Sequence, residues 1–341
     1  MGRLSLLLFV VLSVLAACKK SGPAAATATV ADTTVYAAGY WGGVNYTVAA
    51  YWVNGKLFSL TDTTGFASAL AIDVAGSDVY VAGVVKLPMD AVSVTPTYWK
   101  NGQAFPLAGS LHYSTADGIA VAGGNVYVAG EDGLTPVYWT NGKETVLSEG
   151  MTGVPASAIA VSGTDVYVTG EDAAGNACYW KNGQLVELTT GQVQAEVSAI
   201  AVSGGDVYAA GQVLNYVSSK FVATVWKNGA PLSLSDSSLD SRAYSIAIDS
   251  GNVYVAGDLQ NGASSVPVVW KNGASFPVTG IGSYEAYAWA IAVAKGKVYV
   301  GGNVFLDSQV IAAYWSSQGP VELDTEPGQT SNVSAMFVGS H

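Results

Sequence analysis

Histidine, cysteine and charge are all scarce in this chain of 341 residues. Its two histidines, His112 and His341, cannot make the cluster that zinc or iron needs. Only 11% of residues are charged, and acid outnumbers base 25 to 14, for a net charge of −11. No basic stripe is available to neutralise phosphates, which argues against nucleic acid as a partner. No nucleophile elbow, phosphate loop or EF-hand loop occurs. No catalytic residue, metal or cofactor is therefore assigned.

The two cysteines divide between two roles. Met1-Gly-Arg3 is a short basic start, Leu4 to Leu15 is apolar, and Leu15-Ala16-Ala17-Cys18 closes the run. That core suits a signal peptide and is too short to span a bilayer. Small residues ending in a cysteine resemble the bacterial lipobox. The resemblance implies cleavage before Cys18 and acylation of its sulfur and new amino terminus with chains such as palmitate. A secretory signal cut at Ala16 or Ala17 is the alternative. Lys19 to about Ala31 is small, polar and alanine-rich, a flexible tether. Lys19-Lys20 after the cysteine points to the outer membrane. The expected organisation is residues 1–17 as signal peptide, 18–31 as lipidated cysteine and tether, and 32–341 as one domain. Cys178 stands in a column of small, mostly apolar residues (Ala50, Thr97, Val137, Thr224, Val268 and Ala313), which predicts a packing role.

What the chain has in abundance is a repeat. Val-Tyr pairs end at Tyr36, Tyr80, Tyr127, Tyr167, Tyr208, Tyr254 and Tyr299, and these define copies one to seven. Each is followed by a tryptophan: Trp52, Trp99, Trp139, Trp180, Trp226, Trp270 and Trp315. The steps of 44, 47, 40, 41, 46 and 45 residues suit a supersecondary unit stacked on its own copies. In the clearest copy four short apolar runs can be read: Ser157–Val161, Val166–Gly170, Ala177–Gly183 and Gln184–Leu188. Asn-Gly follows the tryptophan six times, beginning at Asn54, Asn101, Asn141, Asn182, Asn228 and Asn272, and suits a type I′ hairpin turn. The seventh copy reads Trp315-Ser-Ser-Gln-Gly319, for which a longer turn is expected.

Small residues on the first strand and aromatics on the third fit wedge-shaped blades, crowded near an axis and splayed further out. Strands covered on both faces also account for a mean hydropathy of +0.32. The chain enters at the second strand of a repeat, Thr33-Thr-Val-Tyr36, and a spare first strand, Ser334-Ala-Met-Phe-Val338, stands near its end. The expected fold is thus an all-β, seven-bladed β-propeller of four-stranded antiparallel blades. Its ring is closed by the C-terminal strand completing the first blade, which leaves no open sheet edge.

Ala-x-Gly-Ile-Ala-Val-x-Gly, Val-Tyr-Val-Ala-Gly and Tyr-Trp-Lys-Asn-Gly together resemble the HAF-type extracellular repeats of bacteria. They are also loosely similar to tachylectin-like and kelch-like propellers. The likeness runs from Thr33 to Val338, although Thr-Tyr-Trp, Val-Tyr-Trp or Cys-Tyr-Trp replaces the His-Ala-Phe step. It implies a repeat fold and an envelope location and carries no catalytic residues. Lectin activity would follow only from the tachylectin-like likeness.

In a rigid repeat fold, binding sites are built from the variable loops. One column before the innermost strand's Ala-Ile reads Ser68, Asp117, Ser157, Ser198, Tyr244, Trp289 and Ser334. Two residues earlier stand Phe66, Thr115, Pro155, Glu196, Arg242, Tyr287 and Asn332. The candidate ligand site is therefore an axial mouth lined by Asp117, Glu196, Arg242, Tyr244, Tyr287 and Trp289. The competing reading is that these aromatics plug the channel. Glu131-Asp132 and Glu171-Asp172 recur after the second strand; loop solvation is favoured over a cation site. The function expected is a non-catalytic binding or scaffold propeller, monomeric and anchored by lipid at the bacterial envelope, with a glycan or protein ligand. A glycan-active hydrolase or lyase at the mouth, and a structural subunit of an envelope complex, are the alternatives.

Overall fold

The computed structural model describes residues 33–86, 94–107, 113–147, 156–191, 193–261, 264–278, 285–306 and 309–340. The expected signal peptide, Cys18, the expected tether, Pro155 and both histidines lie outside that set. Thr33–His341 is one compact unit. Every regular element among the described residues is a β-strand. Within the sheets, neighbouring strands of a copy pair antiparallel, as four short runs separated by tight turns require.

Six of the seven Trp strands turn through Asn-Gly with both residues at positive φ, as at Asn182 (51°) and Gly183 (80°). The asparagine also grips the neighbouring strand. Asn182 Oδ1 accepts from Val166 N–H at 2.8 Å, and the same bond recurs at Asn54, Asn101, Asn141, Asn228 and Asn272. The seventh turn is not longer. Ser316 pairs with Gly319 across two residues, and Gly319 at φ 106° carries the left-handed conformation instead.

The tryptophans form the packing centres. All seven are at most 2% exposed, and each repeat packs on its neighbour through them. Cys178 is fully buried in such a cluster, and burial drives its thiol pKa far above the usual range.

The strands group into five sheets of four and one of eight. The large sheet holds the first two copies, joined by a single parallel bridge between Thr47 and Phe66. Thr47 is the cause: its N–H donates to Gly65 O, while its hydroxyl donates to Ala67 O and accepts from Ala67 N–H. The strand Thr330–Ser340 pairs antiparallel with Thr33–Gly43, from Thr33–Ser340 to Gly42–Thr330, so the last strand completes the first copy. Among the described residues no hydrogen-bonded ladder links the six sheets into one closed sheet. They meet mainly through side chains; Asp324 N–H also donates to Gly55 O at 2.9 Å, and one core cluster joins Val35, Trp41 and Trp52 of the first copy to Ala290 and Tyr314 of the seventh.

A β-bulge interrupts the inner strand of every copy, for example between Ala243 and Ser245 and between Ala288 and Ala290. Opposite it lies the glycine of Val-Tyr-Val-Ala-Gly. A Cβ on Gly257 would lie 1.9 Å from Arg242 O, and one on Gly302 would lie 1.8 Å from Tyr287 O. Only glycine fits that approach. The same test corrects one register. Gly83 meets Ser68 O, and the second copy's shift falls between Ala69 and Ala71. Ser68 is therefore the counterpart of Arg242 and Tyr287, and Leu70 that of Tyr244 and Trp289. Phe66 belongs to neither column.

Candidate functional site

The bulges set which side chains reach the open end of the strands. Arg242 and Tyr244 flank buried Ala243, and Tyr287 and Trp289 flank buried Ala288. An extra residue breaks the strict in-out alternation of a strand and re-aims its neighbours. Four of the six predicted residues come together in this way. The Tyr244 and Trp289 rings are 4.7 Å apart between centroids, and Trp289 stacks on Tyr287 at 5.1 Å and 13°. Phe305 meets Tyr287 edge-on at 5.8 Å. Arg242 lies over Phe221 at 5.9 Å.

The polar tips of Trp289 and Tyr244 are committed inside the protein, while the Tyr287 O–H reaches exposed Glu285 at 3.4 Å. Trp289 Nε1–H donates to Asn303 Oδ1 at 2.8 Å, and Asn332 Nδ2 donates to the same oxygen at 3.1 Å. Tyr244 O–H donates to Asp258 Oδ1 at 3.2 Å. Asp258 is 1% exposed and also accepts from Ser265 Oγ and Gln260 Nε2. Burial, then the Asp258 charge, holds the Tyr244 phenol above its ordinary range. Fixed tips leave ring faces as the surface a ligand would meet.

Asp258 and Asn303 were not foreseen as site residues. They follow the glycine of the Val-Tyr strand, in a column that reads Tyr40, Val84, Glu131, Glu171, Gln212, Asp258 and Asn303. Its polarity beside an otherwise apolar repeat was the available signal. Glu131 and Glu171, read as loop residues, stand in this column on strands.

Glu196 lies one copy away. It accepts from Gln212 Nε2 at 2.8 Å and lines a crevice of about 320 Å³ with Glu171 and Phe221. Burial first, then Glu196, raises the Glu171 pKa. Phe221 is shared between this crevice and Arg242. Asp117 stands apart in the third copy, bonded by the Thr115 hydroxyl. Burial pushes its pKa up to about 7, with Glu131 adding to the rise and Thr115 opposing it. The carboxylate keeps some surface yet is hemmed in by protein, so water solvates it poorly.

The acidic pairs do not solvate their loops. Asp132 and Asp172 are buried: Ser114 Oγ donates to Asp132, while Asp172 takes the N–H groups of Ala174 and Asn176. The stretch Gln212–Ala223 forms a hairpin paired out to Asn215 and Lys220.

No family model and no curated protein matches the sequence. Among solved structures, the chain is similar to the acylaminoacyl peptidase of Pyrococcus horikoshii, at a TM-score of 0.55 and 12% identity. The match covers 86% of this chain and 51% of that one, so the chain spans about half the peptidase's length. At that identity the likeness is one of fold. It agrees with an all-β, propeller-like architecture built of blade-like sheets.

Proposed function

We propose that this chain is a non-catalytic binding propeller of the bacterial envelope, anchored through acylated Cys18 and taking a glycan or protein ligand at its mouth. In this reading the seven copies are seven blades, and Thr330–Ser340 closes the ring. The inner strands support that closure, because Thr330–Ser340 packs against both Ala286–Ala294 and Phe66–Ala75. The observation that carries the functional reading is the aromatic run Tyr244, Trp289, Tyr287 and Phe305. The Tyr244 and Trp289 tips are bound internally, and Arg242 stands beside the run. Flat rings with one charged neighbour suit sugar rings or an extended peptide.

Trp289→Ala and Tyr244→Ala test it. Each should remove binding to the glycan or peptide found by array screening, a loss of at least ~1 kcal/mol, because a stacking partner is gone. Channel filler behaves differently: loss of a packed aromatic lowers stability by about 3–5 kcal/mol. Strong destabilisation of both variants would therefore overturn the reading. The poised carboxyl of Asp117 favours one alternative, an acid-base hydrolase or lyase at the mouth. Turnover of a bound glycan that stops in Asp117→Asn would select it.

A further inference from the structure

A second crevice of about 320 Å³ lies between the sixth and seventh copies, toward the Asn-Gly turn end and away from the mouth. Its walls are apolar, with Tyr254, Phe276 and Val298 among them, and Phe276 is half-exposed. Trp315 lines it, is 2% exposed, and leaves its indole N–H without a hydrogen-bond partner. An unsatisfied buried donor is costly, and the ring that carries this one lines the crevice.

Two departures from the repeat make this crevice unlike its siblings. In copies two, four and five a lysine after the tryptophan pairs with an aspartate before Val-Tyr: Lys100–Asp78, Lys181–Asp165 and Lys227–Asp206, at 2.7–2.8 Å. In the sixth copy that aspartate is Asn252, whose oxygen takes Asn272 Nδ2–H. Lys271 is left on the Tyr254 ring, 5.2 Å from its centroid, with no described carboxylate in ion-pairing range. In the seventh copy the Lys-Asn step is Ser316-Ser317. The Ser316 oxygen accepts from Gln318 N–H, so its proton stays free to donate.

The polar side chains here can all donate: the Trp315 indole N–H, the Lys271 ammonium and the hydroxyls of Tyr254, Ser316 and Ser317. No carboxylate lines the crevice, and Asp249 near its inner end is committed to Gly296 N–H at 2.9 Å. We propose that this crevice binds a small monocarboxylate with an aryl or short alkyl body. The carboxylate lies between Lys271 and Trp315, and the body lies against the Phe276 and Val298 wall.

Benzoate is the probe, observed by saturation-transfer NMR on the full chain at fixed ionic strength. Saturable transfer is expected, with benzyl alcohol at least about tenfold weaker because it lacks the charge-assisted bond. Asn252→Asp gives Lys271 the carboxylate that its siblings have, and Lys271→Gln removes the charge. Both should weaken benzoate about tenfold at unchanged melting temperature. Trp315→Phe, which keeps the ring and removes the N–H, should weaken it as well. No saturable signal, equal binding of benzyl alcohol, or undiminished benzoate binding in both Asn252→Asp and Lys271→Gln would overturn the proposal.

Discussion

Single residues carry much of what distinguishes one copy from another. Asp117 is the clearest. An unfolded aspartate ionises near pH ~3.9, while in the fold this group holds its proton up to about pH 7. The folded state thus binds the proton more tightly. The stability it gains is complete below about pH 4 and is lost as the pH rises through about 7. Asp117→Asn cannot ionise, so it should melt with the wild type at pH 4 and above it at pH 8. Parallel melting curves from pH 4 to 8 would refute the shift. Gly257 is a second case. A methyl group there meets Arg242 O at 1.9 Å and the Trp270 ring at 2.9 Å. Gly257→Ala should cost about 1–3 kcal/mol in chemical denaturation, the usual range for overpacking.

At the scale of elements, the hairpin between the Trp strand and the outer strand is held by one asparagine doing two tasks. Asn182→Gly keeps the positive φ and loses the bond to Val166 N–H, for about 1 kcal/mol. Asn182→Ala also strains the turn, for about 2 kcal/mol or more by the same measurement. Equal losses would mean that the backbone angle contributes nothing. These hairpins were legible in the sequence because Asn-Gly has few other uses. The inner strands were legible in kind and ambiguous in register. The second copy reads Ala67-Ser-Ala-Leu-Ala-Ile72, and a strand slipped by two residues keeps every side chain on its face. The bulge and the glycine opposite it decide between Ser68 and Leu70, and a single-letter pattern cannot show a bulge. Tyr244 and Trp289 could be read because they break a mostly serine column, and Arg242 and Tyr287 because they stand two residues before them. Asp258 and Asn303 were missed because the strand pairing that sets them beside those rings is set by the bulge.

At the scale of the whole molecule, the first copy is assembled from both ends of the described chain. Deleting residues 332–341 removes most of the partner of Thr33–Gly43 and uncovers its ladder. The stability loss should far exceed that from deleting residues 19–29, and equal denaturation midpoints would refute a closing role for the last strand. Cys18→Ala should release the protein from membranes. Native protein that fractionates as soluble, with no lipid by mass spectrometry, would refute the anchor.

The pairing of Thr33 with Ser340 also orders events in time. Copies two to seven are contiguous in sequence, and each can form its hairpins as soon as its own residues are available. The first copy cannot. Its strands Thr33–Gly43 and Tyr46–Val53 wait with one edge unpaired until Thr330–Ser340 has been made, so the first copy is completed after the copies that lie between. Closing so long a loop adds little to the entropic cost but much to the delay. For that interval the edge at Val35 and Tyr36 is a template for pairing with another chain, and folding yield should fall with concentration faster than final stability alone predicts.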